Sequence, residues 1–117
     1  MSRTLCIYVD VDDTLIRSAG SKRIPIPAVI RHVRELHEKG ALLYCWSSGG
    51  GDYARESASE VGIAHCFAGF LPKPNVVIDD QRVIDWPQFL HVYPASCRTL
   101  DEYASTLSGS NEQTPPG

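Results

Sequence analysis

The sequence predicts an α/β protein with a doubly wound, mainly parallel sheet and helices on both faces. Two observations predict it. Three apolar runs, at residues 5–9, 41–46 and 76–78, each stop abruptly at a polar residue: Asp10, Ser47 and Asp79. Continuous apolar runs of this kind mark strands buried on both faces, as in a parallel sheet. The stretches between the runs carry helical periodicity, and alternating strands and helices build parallel sheets through right-handed crossovers.

The elements follow in order. Leu5-Cys6-Ile7-Tyr8-Val9 is the first strand. Residues 16–27, with Gly20, Lys22, Arg23, Pro25 and Pro27, read as an irregular loop or flap. Pro27 opens the first helix, its φ already helical. Val29, Ile30, Val33, Leu36 and His37 share one face of that helix, His32 lies off it, and Gly40 caps the end. The second strand, 41–46, ends at Ser47. A second helix starts near Asp52, turns Ala54, Ala58 and Val61 inward, and stops at Gly62. Val76-Val77-Ile78 is the third strand of this kind. Shorter strands are expected at 65–67 and 91–93, and a helix at 99–107. Trp86 and Phe89 read as core. Residues 108–117, rich in Ser, Gly and Pro, read as a disordered tail behind a single domain spanning 1–107.

Composition sets outer bounds. The chain has 117 residues, 43% hydrophobic and 21% charged, which excludes wholesale disorder. A formal charge of −3 gives no indication of nucleic-acid binding. No apolar run approaches the length of a membrane span, and the first residues lack a secretory cleavage pattern. A cytoplasmic location is expected. The four cysteines, Cys6, Cys45, Cys66 and Cys97, show no zinc spacing and read as structural free thiols, with Cys6 and Cys45 as small buried hydrophobes.

Chemistry concentrates where the strands end, the edge at which open α/β sheets bind ligands. Asp10, Asp12 and Asp13 form one acidic cluster, and Asp79 and Asp80 a second. Packed carboxylates call for a cation or a proton, and hard oxygen donors suit Mg²⁺. Lys73 is the lysine placed to neutralise them and hold a phosphoryl oxygen. Ser47-Ser48-Gly49-Gly50-Gly51 follows the second strand and leads into a helix, an arrangement that lets backbone N–H groups approach an anion. It does not match a P-loop. Arg17, Arg23 and Arg82 follow these motifs closely enough to touch a substrate, Arg82 first among them.

The motifs together resemble those of the haloacid-dehalogenase-like (HAD) phosphatases. Asp10-Val11-Asp12-Asp13-Thr14 after an apolar strand is similar to the family's first motif, D-x-D-x-T. Ser47, Lys73 and the pair Asp79-Asp80 resemble the second, third and fourth, in family order. The resemblance implies a Rossmann-like core without a cap domain, and a Mg²⁺-dependent phosphomonoesterase working through an aspartyl phosphate. It implies Asp10 as nucleophile and Asp12 as general acid/base. Ser47 and Lys73 would bind and balance the phosphoryl group, with Thr14 bracing the loop and Ser48, Gly49 and Arg82 on the phosphate or substrate. Mg²⁺ would be held by Asp10, Asp12, Asp79 and Asp80.

The substrate would be a phosphorylated molecule. Its site would be open, or closed by another copy of the chain in a homo-oligomer. Three alternatives stand beside this reading. One is a phosphatase of a macromolecular phosphate, on a nucleic-acid end or a phosphoprotein. Another is a catalytically inactive binding module on the same fold. The third is a receiver-like phosphoacceptor domain.

Overall fold

A computed structural model describes residues 4–112, with side chains through Gly109. The chain forms two units, one running to Asn75 and one from Val76 onward. The first unit is α/β. Its sheet contains three parallel strands in the order β1-β4-β5: β1 is Cys6–Asp10, β4 is Leu42–Ser47 and β5 is Gly69–Pro72. An antiparallel pair, β2 (Ile16–Ala19) with β3 (Lys22–Pro25), and two helices, α1 (Pro27–Glu38) and α2 (Gly51–Glu60), complete it.

The α/β class and the parallel sheet appear as the sequence predicts, but the strand order does not reverse. A doubly wound sheet requires that reversal. In the order β1-β4-β5, right-handed crossovers carry α1 and α2 over the same face. Burial agrees. Val9, Leu43, Cys45 and Ser47 point to that face and are buried, whereas Tyr8 and Leu42 point the other way and are 44% and 39% exposed. Cys6 also lies on the open side, so it is not the buried hydrophobe expected. The alternation of buried and open positions in β1 and β4 replaces the two-sided burial read from the apolar runs.

Helix α1 forms where its periodicity places it, with Pro27 in the first turn and Val29, Ile30, Val33 and Leu36 buried. His37, expected on that face, is exposed and meets the His65 ring edge-on at 5.9 Å. His32 is half-buried, and desolvation lowers its pKa. Helix α2 buries Ala54, Ser57 and Ala58.

Residues 16–27 are not an irregular flap. They form a hairpin in which Ala19 pairs with Lys22 across a two-residue turn. Gly20 takes φ +64° at the first turn position, the conformation that tight hairpins assign to glycine. The expected strand at 65–67 is instead a short 3-10 turn at Ala64–Cys66, and the third parallel strand is β5 just beyond it.

The second unit contains 3-10 turns at Val83–Asp85 and Pro94–Ser96 and the helix α3, Leu100–Glu112. Val76-Val77-Ile78 is not a strand. It carries no regular structure and is 78%, 52% and 97% exposed. The run is short, follows Pro72 and Pro74, and has no strand partner among the described residues; a strand exists only through pairing. Residues 91–93 form no strand either. Trp86 and Phe89 pack edge-on at 5.9 Å but remain substantially exposed, contrary to their expected core role. Thr99 and Glu102 start α3 as a capping box. The Glu102 amide donates to Thr99 Oγ1 at 3.1 Å, and the Thr99 amide donates to Glu102 Oε1 at 3.1 Å. The helix continues past Leu107 to Glu112. Residues 113–117 of the expected tail lie outside the described residues. Among the described residues no helix is long and apolar enough to cross a membrane.

The two faces of β4 should respond differently to truncation. Leu43→Ala removes a buried side chain and should cost roughly 2–5 kcal/mol. Leu42→Ser on the open face should cost below about 1 kcal/mol. Urea denaturation of both variants checks this, and equal losses would contradict the one-sided burial.

Candidate functional site

The parallel register fixes where chemistry gathers in the first unit. Asp10 pairs with Trp46, and Ser47 with Pro72, so the ends of all three strands meet at one edge. Lys73 follows β5 directly, and its amide donates to the Ser47 carbonyl at 2.9 Å. The Gly50 amide donates to the same carbonyl at 3.1 Å, which ties the glycine loop to the strand edge.

Asp10 is the centre of this edge. Its Oδ1 lies 3.0 Å from the Lys73 ammonium, and its Oδ2 accepts from Thr14 Oγ1 at 3.2 Å. The Lys73 ammonium also sits 5.9 Å from the Trp46 ring centroid. Both members of the ion pair are about one-third exposed, so the pair is accessible and partly screened.

Beyond β1 the chain hooks tightly. The amides of Thr14, Leu15 and Ile16 all point at the Val11 carbonyl, at 3.1, 2.9 and 3.1 Å. Asp13 adopts φ +61°, a left-handed conformation that Asp tolerates better than most residues. The hook sends Leu15 and Ile16 into the core and brings Thr14 back to Asp10.

Ser47 is buried, and its Oγ accepts from the Gly49 amide at 3.0 Å. That leaves its single proton to donate. Helix α2 begins behind this loop without a side-chain cap, with Gly50 at φ +106°. Gly51 approaches the chain closely: a Cβ there would lie 2.9 Å from the Phe70 carbonyl oxygen. Ser48 and Gly49 are exposed in the same loop.

Asp12 is exposed, and its Oδ1 accepts from the Tyr53 hydroxyl at 2.7 Å. The Tyr53 oxygen accepts from Arg23 Nη1 at 2.9 Å. Arg23 also donates through Nη2 to Ser57 Oγ at 3.0 Å and through Nε to Glu60 Oε1 at 3.0 Å. These bonds to Tyr53 and Glu60 raise the Arg23 pKa further. Tyr53, Ser57 and Glu60 are not among the residues singled out from the sequence. Their spacing, i, i+4 and i+7, makes a polar stripe on one face of α2, and that stripe is the only local trace they leave in the sequence.

The first unit therefore assembles Asp10, Asp12, Thr14, Ser47, Ser48, Gly49 and Lys73. Asp79, Asp80 and Arg82 belong to the second unit. There, Asp79 Oδ1 accepts from the Gln81 amide at 2.9 Å, and Asp80 is exposed. Arg82 Nε pairs with Asp85 at 2.9 Å, three residues along the chain. Among the described residues no group of three or more His, Cys, Asp or Glu side chains is gathered as a metal site. In the first unit the oxygen donors that suit Mg²⁺ are the Asp10 carboxylate and the Asp12 main-chain carbonyl.

The chain belongs to the family described as "Protein of unknown function (DUF705)", which matches residues 2–81. It is similar to an uncharacterized 38.0 kDa protein of Autographa californica nuclear polyhedrosis virus, 29% identical over 75 residues. The match covers 64% of this chain but 23% of that relative, so the chain spans about a quarter of the relative's length. No solved structure matches. These findings correct the resemblance drawn from the motifs. The family that matches is the one of unknown function and not the haloacid-dehalogenase-like phosphatases. A D-x-D-x-T sequence after an apolar strand is too short to assign a family alone.

Cys45 is buried beneath this edge. Desolvation, with a smaller contribution from the Asp10 charge, pushes its thiol up to about 12 from 9.0. The unfolded thiol ionises first, so this residue's contribution to stability should fall as pH rises from about 9 towards 12. Cys45→Ala should flatten that part of the stability profile relative to the native chain, as measured by denaturant unfolding at stepped pH. Parallel profiles would contradict it.

Proposed function

We propose that this member of the DUF705 family is a phosphomonoesterase that works through a covalent aspartyl phosphate at Asp10. The observation that supports the reading is the placement of Asp10 at a strand end, held between Lys73 and Thr14, with Asp12 two residues further on. A carboxylate oriented from both oxygens is positioned as a nucleophile, and the adjacent ammonium offsets charge that an incoming phosphate would add.

In the first step an Asp10 carboxylate oxygen attacks phosphorus, and the bond from phosphorus to the leaving oxygen breaks. Asp12, protonated at that moment, transfers its proton to the leaving oxygen, and an alcohol departs. In the second step the Asp12 carboxylate takes a proton from water as the water oxygen attacks phosphorus. The bond from phosphorus to Asp10 breaks, inorganic phosphate leaves, and both side chains are ready for another cycle. Ser47 and the uncapped start of α2 offer donors to the phosphoryl oxygens, with Ser48 and Gly49 in the same loop.

Mg²⁺ belongs to this proposal, and the Asp10 carboxylate and the Asp12 main-chain carbonyl would hold it. It would supply charge neutralisation at the transferring group. A reducing, cytoplasmic setting fits the four free cysteines.

Asp10→Asn should abolish phosphate release and leave no acid-stable phosphate adduct on the peptide carrying residue 10. Asp12→Asn should retain attack on an activated aryl ester while slowing hydrolysis of the adduct roughly 100-fold or more, so that phosphorylated protein accumulates. Mass spectrometry after acid quench reads both. Phosphate found on another peptide, or full turnover in Asp10→Asn, would end the proposal. Turnover should also be lost on chelation with EDTA and return with added Mg²⁺; turnover that persists in EDTA would remove the metal from it.

A further inference from the structure

We propose that Tyr53 is the positioning residue for Asp12: oriented by Arg23, its hydroxyl occupies Oδ1 and leaves Oδ2 as the oxygen that carries a transferable proton. The catalytic consequence rests on the phosphatase reading above, whereas the positioning itself rests on geometry.

The direction of each hydrogen bond is fixed by proton counting. An arginine has only donors, so at 2.9 Å the Tyr53 oxygen accepts from Arg23 Nη1. The phenol has one proton, and the carboxylate oxygen 2.7 Å away receives it. A bond of that length to an ionised acceptor is among the stronger kinds. With the phenol proton on Oδ1, a proton added to Asp12 sits on Oδ2.

Tyr53 is fixed from two further sides. Arg23 cannot swing freely, because Nη2 holds Ser57 at 3.0 Å and Nε holds both Glu60 oxygens at 3.0 and 3.2 Å. A planar fork makes three such contacts at once, which a lysine cannot do. The Tyr53 ring lies against Gly49, where a Cβ would stand 3.0 Å from ring carbon Cδ2. Gly49 therefore has a packing role that its place in a glycine-rich loop did not indicate. The relay also links three elements: Arg23 comes from β3, Tyr53 from α2, and Asp12 from the hook after β1. An exposed ion pair such as Arg23–Glu60 contributes little stability by itself. Its consequence is orientation.

The test compares the native chain with Tyr53→Phe, which keeps the ring and removes the hydroxyl. Two esters are used: a simple alkyl phosphate, whose leaving oxygen needs a proton, and p-nitrophenyl phosphate, whose leaving group does not. Because kcat/KM reports the steps through adduct formation, it isolates the acid role. The alkyl value should fall about tenfold, below the full scale of general acid catalysis because Asp12 remains. The aryl value should change less than about twofold. In parallel, NMR couplings should show Asp12 χ1 in one rotamer in the native chain and averaged in the variant.

An equal fall for both esters would assign Tyr53 a structural role and overturn the proposal. Unchanged kinetics would do the same. If the native chain hydrolyses neither ester, the phosphatase reading fails on its own. The couplings then decide the positioning role, and an unchanged Asp12 rotamer would overturn it.

Discussion

Parallel pairing of β1 with β4, and of β4 with β5, is the constraint on which the site depends. Strands of one direction end at one edge, and here those ends carry Asp10, Ser47 and Lys73. The Ser47 carbonyl enforces the arrangement by accepting from both Gly50 and Lys73. If β5 slipped by one residue, Lys73 would change sides of the sheet, and the 3.0 Å pair with Asp10 would be lost. That register is pinned at both ends of β5, where the Ala68 amide donates to the Leu43 carbonyl at 2.7 Å and the Lys73 amide to the Ser47 carbonyl at 2.9 Å.

Residues that interact locally were legible in the sequence. The start of α1 at Pro27 and its buried stripe follow from periodicity, and Asp10 is set at a strand end by the apolar run before it. The errors arose where pairing decides. Val76-Val77-Ile78 has strand composition, but among the described residues no strand pairs with it. Gly69–Pro72 has weaker composition and forms β5 because β4 lies beside it. Lys73 thus reaches Asp10 by directly following β5. Two-sided burial was likewise read from the hydrophobicity of β1 and β4, but burial on both faces requires a second helical layer. The strand order places both crossovers on one side.

The long-range polar contacts were the least legible. Arg23 and Glu60 are 37 residues apart, and Tyr53 and Asp12 are 41 apart. No local pattern joins them. Only the hairpin, which brings β3 beside α2, makes the four a connected chain. The motif spacing that suggested a family was local too, and the family match did not follow it. The chemistry at Asp10 is therefore argued from Lys73 and Thr14, contacts that hold whatever the family.

The charges around the strand edge bear on how a phosphate could approach. Asp10, Asp12 and Asp13 bring three carboxylates to the end of β1, and Lys73 is the cation paired with the first of them. Arg23 is already engaged with Glu60, and Lys73 with Asp10. What remains uncompensated is the carboxylate of Asp13, joined by that of Asp12 once its proton has been given up. A phosphate dianion entering such a site meets net repulsion, which is strongest where water is excluded. Tyr53 moderates this at Asp12 with a neutral donor and adds no charge of its own. A second lysine would bring a phosphate closer, but it would also bind the nucleophile. A hard cation held by the Asp10 carboxylate would resolve the conflict differently: it would attract phosphate and leave the donors Lys73 and Tyr53 in place. On the proposed reading, the excess of acid at this edge is thus a reason for a metal, and Asp10 can be both paired and reactive.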